Sequence, residues 1–315
     1  MTKVLITGGC GFLGSGIVDA YTSIGVQCIV VDDLSSGNIA NLNKNAAFYP
    51  VDIADRRDIA RVFERERIDL VNHQAARVDV RASMDDPITY AIVNVVGTVN
   101  LLECCRRHHV DKIIYAQTGG CVYGIPQQIP MTEDHPIRPI DPYGASKAAV
   151  ELYLRVYAHQ FGLKYCVLRY PNCYGPRQNF NGEAGVVGIF ARQMLQGLAP
   201  TINGTGEQTR DYVYVDDIVR ANVLALDYGV NQAYNVGSGI PTSVNQVFAI
   251  LKNITSYEGD AVYGPPRPGE VMDSCLDSLK AKMELGWKCQ TGLAEGIAKT
   301  VEYVRERQQN EDTGD

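Results

Sequence analysis

The amino-acid sequence predicts an α/β protein in which a doubly wound parallel sheet is covered by helices on both faces. Short apolar runs alternate with longer amphipathic segments up to residue 174, and these runs are continuous rather than alternating. Continuous apolar runs are typical of strands that are buried on both faces of a parallel sheet. A glycine-rich turn after the first run is a third indication. With 315 residues, the chain is long enough for one large α/β unit or two domains.

The predicted elements follow one another in a regular order. The predicted strands are residues 3–8, 26–32, 47–51, 68–72, 112–117 and 164–169. The predicted helices are residues 12–23, 55–67, 87–109 and 143–161. Strands that alternate with helices long enough to return the chain to the same sheet edge predict βαβ units.

Composition argues against several classes of protein. The net charge of −7 and the pI near 5.3 disfavour a nucleic-acid-binding surface. We see no signal-peptide core and no run approaching the ~20 apolar residues of a membrane span. The nine cysteines contain no C-x-x-C pair and no histidine cluster beside them. We therefore expect a cytoplasmic protein with reduced thiols, no metal site and no nucleic-acid or membrane partner.

The first apolar run ends in a turn that is typical of a dinucleotide site. Gly8, Gly11 and Gly14 permit a tight turn, close approach to a pyrophosphate and close helix–strand packing. The helix that follows would present free N–H groups to the phosphates. Asp32 ends the second run, near the spacing at which an acid binds the adenosine ribose. Its charge disfavours the 2′-phosphate of NADP, and residues 33–38 contain no arginine, so NAD is the predicted cofactor.

These features predict a Rossmann-type domain and a smaller second domain. Residues 1–174 are expected to form the NAD-binding domain, to which about 213–239 return because they again indicate a helix and then a strand. Residues 175–212 and 240–305, where the alternation weakens, are expected to form a mixed α/β substrate domain. The polar residues 306–315 are expected to be a frayed tail.

A tyrosine and a lysine four residues apart form a second chemical motif. Tyr143 and Lys147 begin a predicted helix, so they share one face. A neighbouring ammonium is expected to lower the pKa of the phenol, as would a positive nicotinamide ring. A tyrosine of lowered pKa suits a general base. The Y-x-x-x-K pattern alone is common, but its combination with the upstream glycine motif is specific.

Further motifs follow the predicted strands in a set order. They are residues 52–53 (Asp-Ile), 73–76 (His-Gln-Ala-Ala), 118–124 (Thr-Gly-Gly-Cys-Val-Tyr-Gly), 168–177 (Leu-Arg-Tyr-Pro-Asn-Cys-Tyr-Gly-Pro-Arg), 210–217 (Arg-Asp-Tyr-Val-Tyr-Val-Asp-Asp), 267–270 (Arg-Pro-Gly-Glu) and 284–287 (Glu-Leu-Gly-Trp). Over almost the whole chain, this series resembles the extended short-chain dehydrogenase/reductase family. More specifically, it is similar to nucleotide-sugar 4-epimerases of the UDP-glucose type.

The resemblance implies an activity in which the C-4 hydroxyl of a UDP-hexose is transiently oxidised by NAD. It implies that Tyr143 is the base and that Lys147 tunes it and holds the nicotinamide ribose. The implied cofactor-binding residues are Gly8, Gly11, Phe12, Leu13, Gly14, Asp32, Asp33, Ser36, Gly37, Asn38, Asp52, Ile53, Gln74, Ala75, Ala76, Asn94, Tyr143, Lys147 and Tyr170. The implied substrate-binding residues are Thr118, Tyr143, Asn172, Arg210, Arg267, Glu270 and Ser274. Asn172 and the two arginines would contact the UDP phosphates, with Glu270 near the uridine ribose.

The chain departs from the common family pattern at the catalytic hydroxyl. Many relatives carry Ser or Thr where this chain has Gly119. Thr118 is the only hydroxyl within residues 117–121, and we expect it to polarise the C-4 oxygen, as in a T-G-G-A-[IV]-Y-G variant. Dehydratases of nucleotide sugars carry Asp-Glu after the catalytic threonine. Gly119 and Gly120 provide no such acid–base group, which favours an epimerase.

The resemblance leaves the sugar open. Ser274 corresponds to a position at the hexose floor, and its small size favours acceptance of UDP-GlcNAc and UDP-GalNAc beside UDP-Glc and UDP-Gal. A 4-epimerase of a UDP-uronate or of another nucleotide sugar is the main alternative. A sugar-nucleotide dehydratase and a non-catalytic NAD-binding protein are less favoured. Relatives pair the helices corresponding to 87–109 and 143–161 across a dimer, so we expect a homodimer.

Overall fold

A seven-stranded parallel sheet is the centre of the computed structural model, which describes residues 2–179, 185–267 and 269–313. The strands of the described residues are β1 (Lys3–Thr7), β2 (Gln27–Val31), β3 (Ala47–Tyr49), β4 (Leu70–His73), β5 (Lys112–Thr118), β6 (Lys164–Tyr170), β7 (Asn172–Tyr174), β8 (Thr201–Asn203), β9 (Thr209–Tyr214), β10 (Gln232–Asn235), β11 (Pro241–Ser243) and β12 (Val262–Gly264). The large sheet has the order β10-β6-β5-β4-β1-β2-β3, with all neighbours parallel. The predicted doubly wound α/β fold is confirmed.

Helices connect these strands and cover both faces of the sheet. The α-helices of the described residues are α1 (Phe12–Ser23), α2 (Arg56–Arg65), α3 (Val80–Asp85), α4 (Pro87–Tyr90), α5 (Gly97–Arg107), α6 (Pro142–Phe161), α7 (Val186–Leu195), α8 (Val215–Asp227), α9 (Val244–Thr255), α10 (Leu279–Leu285) and α11 (Leu293–Thr313). A 3-10 helix spans Ile39–Asn41 and a π-helix spans Ala91–Val96. The helix predicted at 87–109 therefore consists of α4, the π-helix and α5.

Local capping defines the ends of α6, which carries the Y-x-x-x-K motif in its first turns. Asp141 accepts a hydrogen bond from the backbone N–H of Gly144, and Pro142 is the first helical residue. At the other end, Gly162 adopts φ 72° in the left-handed region and ends the helix. Tyr143 is therefore held at the first turn of α6, beside the carboxyl end of β5.

Among the described residues, three large apolar cores hold the elements together. On one face of the large sheet, α1, α8 and α10 contribute to the first core, and on the other face α2, α5 and α6 contribute to the second. The third core joins α7, α9 and α11 with β9 and lies among residues of the second half of the chain. The strand order reverses between β1 and β4, and open α/β sheets bind ligands at such a switch point.

The end of the chain differs from the sequence-based prediction. Residues 306–315 are predicted to be a frayed tail, whereas α11 continues to Thr313, and residues 314 and 315 lie outside the described residues. The apolar side of α11 is buried in the third core through Ile297, Val301 and Val304. This burial anchors the helix, and the polar residues that follow extend it.

One helical stretch corrects the expectation that no apolar run approaches the length of a membrane span. Among the described residues, Pro87–Arg107 is long and apolar enough to cross a bilayer by length and composition, with a mean hydropathy of 1.5. Of its most apolar window, 44% is buried inside the protein, where α5 packs against α2 and α6. A helix that covers a buried sheet passes the same test, so this stretch does not by itself indicate a membrane protein.

Candidate active site

A cleft of about 1140 Å³ opens at the carboxyl ends of β1, β4, β5 and β6. All but one of the residues predicted to bind the cofactor line it. They are Gly8, Gly11, Phe12, Leu13, Gly14, Asp32, Asp33, Ser36, Gly37, Asn38, Asp52, Ile53, Gln74, Ala75, Ala76, Tyr143, Lys147 and Tyr170. Of the predicted substrate-binding residues, Thr118, Tyr143 and Asn172 line the same cleft, whereas Arg210, Arg267, Glu270 and Ser274 do not.

Asn94 is the predicted cofactor residue that the structure places elsewhere. It is buried in the π-helix, where its Oδ1 accepts from the Arg77 N–H at 2.8 Å. Its Nδ2 donates to the Arg77 carbonyl at 3.0 Å and to Ser146 Oγ at 2.9 Å. Asn94 therefore ties the segment after β4 to α6 and is not part of the cleft wall.

The glycine turn between β1 and α1 has no room for side chains. Gly8 has φ 68°, and a Cβ there would lie 2.9 Å from the Ala75 nitrogen. A Cβ on Gly14 would overlap the Gly8 carbonyl oxygen. No side chain caps α1, so its first N–H groups are free at the position where Phe12 and Leu13 line the cleft. A close backbone and a free helix N-terminus together fit a pyrophosphate.

The carboxylate of Asp32 lies next to this turn and has unused hydrogen-bond acceptor positions. Its side chain is 7% exposed and accepts from the N–H groups of Cys10 and Leu34, each at 2.9 Å. Burial raises the pKa of this carboxyl group, and the two hydrogen bonds oppose part of that rise. A carboxylate offers about four acceptor positions, so Asp32 can still bind a ribose diol. The turn, α1 and Asp32 therefore fit a dinucleotide.

Two hydroxyl groups meet on the opposite wall of the cleft. The Thr118 side chain, at the carboxyl end of β5, lies close enough to that of Tyr143, at the start of α6, to lower the pKa of the phenol. Thr118 Oγ1 also accepts from the Cys121 N–H at 3.1 Å. A threonine and a tyrosine hydroxyl in contact can bind one oxygen atom of a ligand from two sides.

The electrostatics of this wall correct one prediction. Burial raises the pKa of Tyr143, and the nearby Thr118 hydroxyl offsets only part of that rise. Burial also lowers the pKa of Lys147 to about 7. The expected lowering of the Tyr143 pKa is wrong for the protein alone, because desolvation of the phenol raises this pKa. The positive charge of an oxidised nicotinamide is the remaining source of such a lowering.

Residue 119 faces away from the cleft. A Cβ on Gly119 would overlap the side chain of Leu276 and lie 3.2 Å from the Tyr170 carbonyl oxygen. Leu276 belongs to a small buried cluster with Val122, Tyr123 and Met131. A hydroxyl at position 119 would therefore point into packed protein, which leaves Thr118 as the hydroxyl of this loop that lines the cleft.

The four remaining predicted substrate residues lie together beside the cleft. Arg210 Nη2 is 3.0 Å from Glu270 Oε1, and its Nη1 donates to two backbone carbonyls. Arg267 Nη2 lies 2.9 Å from the side-chain amide of Asn203. Ser274 is 6% exposed, and its N–H bonds the Thr209 carbonyl at 3.2 Å. Arg210 is close enough to Cys121, next to Tyr143, to lower the pKa of that thiol slightly against the larger effect of burial.

Several cleft residues were not identified by sequence reasoning. Those with a thiol or a guanidinium group are Cys10, Arg77, Cys121, Cys173, Arg177, Arg192 and Arg307. Arg77 directly follows the His-Gln-Ala-Ala motif, so its position could have been noticed. Arg192 and Arg307 lie on α7 and α11, far apart in sequence and outside any motif. These arginines give a positive lining to a cleft in an acidic protein, which favours anionic ligands.

Comparison with known proteins identifies the family. Residues 4–237 match the model of the NAD dependent epimerase/dehydratase family. A putative UDP-glucose 4-epimerase of Methanocaldococcus jannaschii is 44% identical over 302 residues, which are 96% of this chain and 98% of that protein.

Two solved structures share the fold over nearly their whole length. The UDP-glucose 4-epimerase of Thermotoga maritima with UDP-glucose has a TM-score of 0.96 and 47% identity, covering 98% of this chain and 100% of that one. The enzyme of Thermus thermophilus in complex with NAD has a TM-score of 0.93 and 42% identity, covering 96% and 99%. These matches confirm the predicted resemblance, the predicted enzyme class and NAD as the cofactor of the family. The chain belongs to the NAD-dependent epimerase/dehydratase family.

Proposed function

We propose that the protein interconverts UDP-glucose and UDP-galactose by NAD-dependent epimerisation at C-4, through a transient 4-keto sugar. The observation that carries this proposal is that the side chains of Thr118 and Tyr143 lie close together in the same cleft as the glycine turn. Relatives named UDP-glucose 4-epimerase support the reaction. The absence of an acid after Thr118 disfavours a dehydratase.

The roles proposed for the wall residues combine the family resemblance with their positions in the cleft. NAD, when bound, supplies the reversible acceptance of a hydride. Tyr143 takes the proton of the C-4 hydroxyl and later returns it, while Thr118 donates a hydrogen bond to the same oxygen. Lys147 adds a positive charge and holds the nicotinamide ribose. The glycine turn and Asp32 bind the pyrophosphate and the adenosine ribose, so that each catalytic group meets the sugar in a set orientation.

The phosphates of UDP are proposed to bind Asn172, Arg210 and Arg267, with Glu270 at the uridine ribose. Arg210 uses two of its nitrogens for Glu270 and two backbone carbonyls. A guanidinium has five N–H donors, so Arg210 keeps donors for a phosphate while Glu270 orients it. Anchoring through UDP allows the 4-keto sugar to turn and present its other face.

The substrate range is proposed to include UDP-GlcNAc and UDP-GalNAc, because Ser274 is small. Incubation with UDP-Gal, UDP-GalNAc and UDP-GalA separately, followed by product analysis, tests both the reaction and the range. We expect epimerisation of UDP-Gal and UDP-GalNAc. Conversion of UDP-GalA alone would instead favour the uronate alternative, and no conversion of any of the three would refute the proposed function.

Ser274→Tyr should lower the ratio of UDP-GalNAc to UDP-Gal turnover by tenfold or more, of the order expected when a small group no longer fits its pocket. The matched control is Ser278→Tyr, further along the same segment, which should leave the ratio unchanged. Ser274 is buried and does not line the cleft, so tyrosine at this position also disturbs the local packing. Comparing the two substrates within one variant removes this effect, because it lowers both turnover rates. An unchanged ratio in Ser274→Tyr would show that this residue is not the gate.

The protein is also proposed to form a homodimer through the 87–109 and 143–161 helices. Large apolar side chains are exposed on this pair of helices, namely Ile88, Ile92, Val96, Leu152 and Val156. Leu152→Asp should shift the sedimentation mass from a dimer toward the 34.6 kDa of one chain. Ile240→Asp, at a position with the same 64% exposure as Leu152, should not. A monomeric wild type, or equal masses for both variants, would refute the interface.

Three further assignments complete the proposal. Residues 1–174 with 213–239 bind NAD, and residues 175–212 with 240–305 bind the UDP-sugar. Most members of the third apolar core lie in 175–212 and 240–305, and Tyr174, Tyr214 and Val215 join it from the NAD-binding segments. The protein is proposed to work in the cytoplasm without nucleic-acid or membrane partners, and its nine free cysteines are consistent with a reducing compartment.

A further inference from the structure

The ring of Tyr115 lies directly under the ammonium group of Lys147. Lys147 Nζ is 4.3 Å from the centroid of this ring, well within the range of a cation–π contact. Tyr115 is at the middle of β5 and has no exposed surface. A desolvated cation over an aromatic face is attracted more strongly than one in water.

The same strand also holds the backbone of Lys147. Tyr115 and Gln117 point to one face of β5, because side chains two residues apart share a face. Gln117 Nε2 donates to the Lys147 carbonyl at 2.8 Å, and Tyr115 Oη lies 3.5 Å from the same oxygen. Lys147 is therefore contacted at both its main chain and its ammonium from β5.

Within the part of the chain that the structure describes, no anion competes with the ring for this ammonium. Among the described residues, no carboxylate forms an ion pair with Lys147, and burial is the only cause of its lowered pKa. From its own helix, Tyr143 is neutral, and Glu151 is paired with Arg169 at 2.6 Å.

From β4, His73 is the titratable group that faces Lys147. Burial, and then the nearby Lys147, lower the pKa of His73 to about 3, so its ring is neutral. Its two nitrogens bond Thr7 Oγ1 at 2.7 Å and Thr98 Oγ1 at 2.8 Å. Its ring also packs against the ring of Tyr115 in a tilted arrangement, with the two centroids 5.7 Å apart. The electron-rich face of Tyr115 is thus the favourable electrostatic partner of the lysine.

We propose that Tyr115 is a positioning residue, which keeps the Lys147 ammonium charged and in place on the wall of the cleft. The role of Lys147 in turnover rests on the function proposed above, whereas the contact itself does not. Burial lowers the pKa of Lys147 to about 7. Loss of the ring's attraction should lower it further, so that the ammonium is lost at a lower pH.

Variants that change the ring's charge distribution but not its shape test this proposal. Tyr115→Phe keeps the ring and serves as the reference, and fluorinated phenylalanines at the same position weaken its negative face progressively. Tyr115→Leu removes the ring. Titration of Lys147, followed by NMR of protein labelled with ¹³Cε-lysine, measures its pKa without turnover. Lys147→Met assigns the signal.

We expect the pKa of Lys147 to be unchanged in Tyr115→Phe. It should fall by about one pH unit in the trifluorinated variant and in Tyr115→Leu. In active protein, the alkaline limb of the pH profile of kcat should shift to lower pH, also by about one unit. A purely structural role would change the stability and leave this limb in place.

Equal pKa values of Lys147 in Tyr115→Phe and in the trifluorinated variant would overturn the proposal. If Tyr115→Leu does not fold, the fluorinated series still decides, because its members have nearly the same size. Failure of the proposed epimerase activity would leave the NMR titration intact, so the two failures are distinguishable.

Discussion

Tyr143→Phe is expected to lower kcat by about 10²–10⁴-fold, the range that a positioned acid–base group contributes. Phenylalanine cannot take or return the C-4 proton, but it fills the same space at the start of α6. Binding of UDP, measured by isothermal titration calorimetry, should therefore change little. A kcat within tenfold of the wild type would contradict the assignment of Tyr143 as the base.

A matched tyrosine on the same helix provides the control for this experiment. Tyr153 lies on α6 and is 41% exposed, away from the cleft lining. Tyr153→Phe removes one phenol hydroxyl from α6, as Tyr143→Phe does, and should leave kcat unchanged. A comparable loss in both variants would point to a general disturbance of the helix.

Replacement of Thr118 by valine is expected to lower kcat by about 10²–10³-fold, as removal of one donor to a reacting oxygen does. Thr118→Ser keeps the hydroxyl and should retain most of the activity. Because Thr118 Oγ1 accepts from the Cys121 N–H, valine leaves that donor unpaired. A loss of about 1–3 kcal/mol in the free energy of unfolding is therefore also expected.

A second substitution decides which position of the loop supplies the hydroxyl. Gly119→Ser, combined with Thr118→Val, places a hydroxyl where many relatives have one. In this fold the new side chain would meet Leu276 and the Tyr170 carbonyl, so we expect no recovery of kcat. Overpacking should also cost about 1–3 kcal/mol of stability. Recovery of activity in the double variant would show that the loop can turn residue 119 toward the substrate.

The main features of the fold and of the cofactor site could be predicted from the sequence because they are local in the chain. A continuous apolar run indicates a buried strand wherever it lies. The glycine turn joins adjacent elements, β1 and α1, so its geometry is encoded within a few residues. Tyr143 and Lys147 share a face of α6 because the helical period brings residues four apart together. Each of these predictions needed only short-range geometry.

Other properties of the site depend on residues that are distant in sequence. Asn94 bonds Arg77 and Ser146 rather than lining the cleft. Arg210 pairs with Glu270, 60 positions along the chain. A side chain at position 119 would point toward Leu276 and not into the cleft. The ammonium of Lys147 contacts the ring of Tyr115. No contiguous motif carries these contacts.

The sequence by itself thus determined the parallel sheet, the dinucleotide turn and the pair Tyr143–Lys147. Only the tertiary structure decided the direction of the Tyr143 pKa, the direction in which position 119 faces and the partner of Lys147. The physical reason is that desolvation and contacts between separate elements depend on how those elements pack. The periodicity of one helix or strand reports which side chains share a face, but not what that face meets.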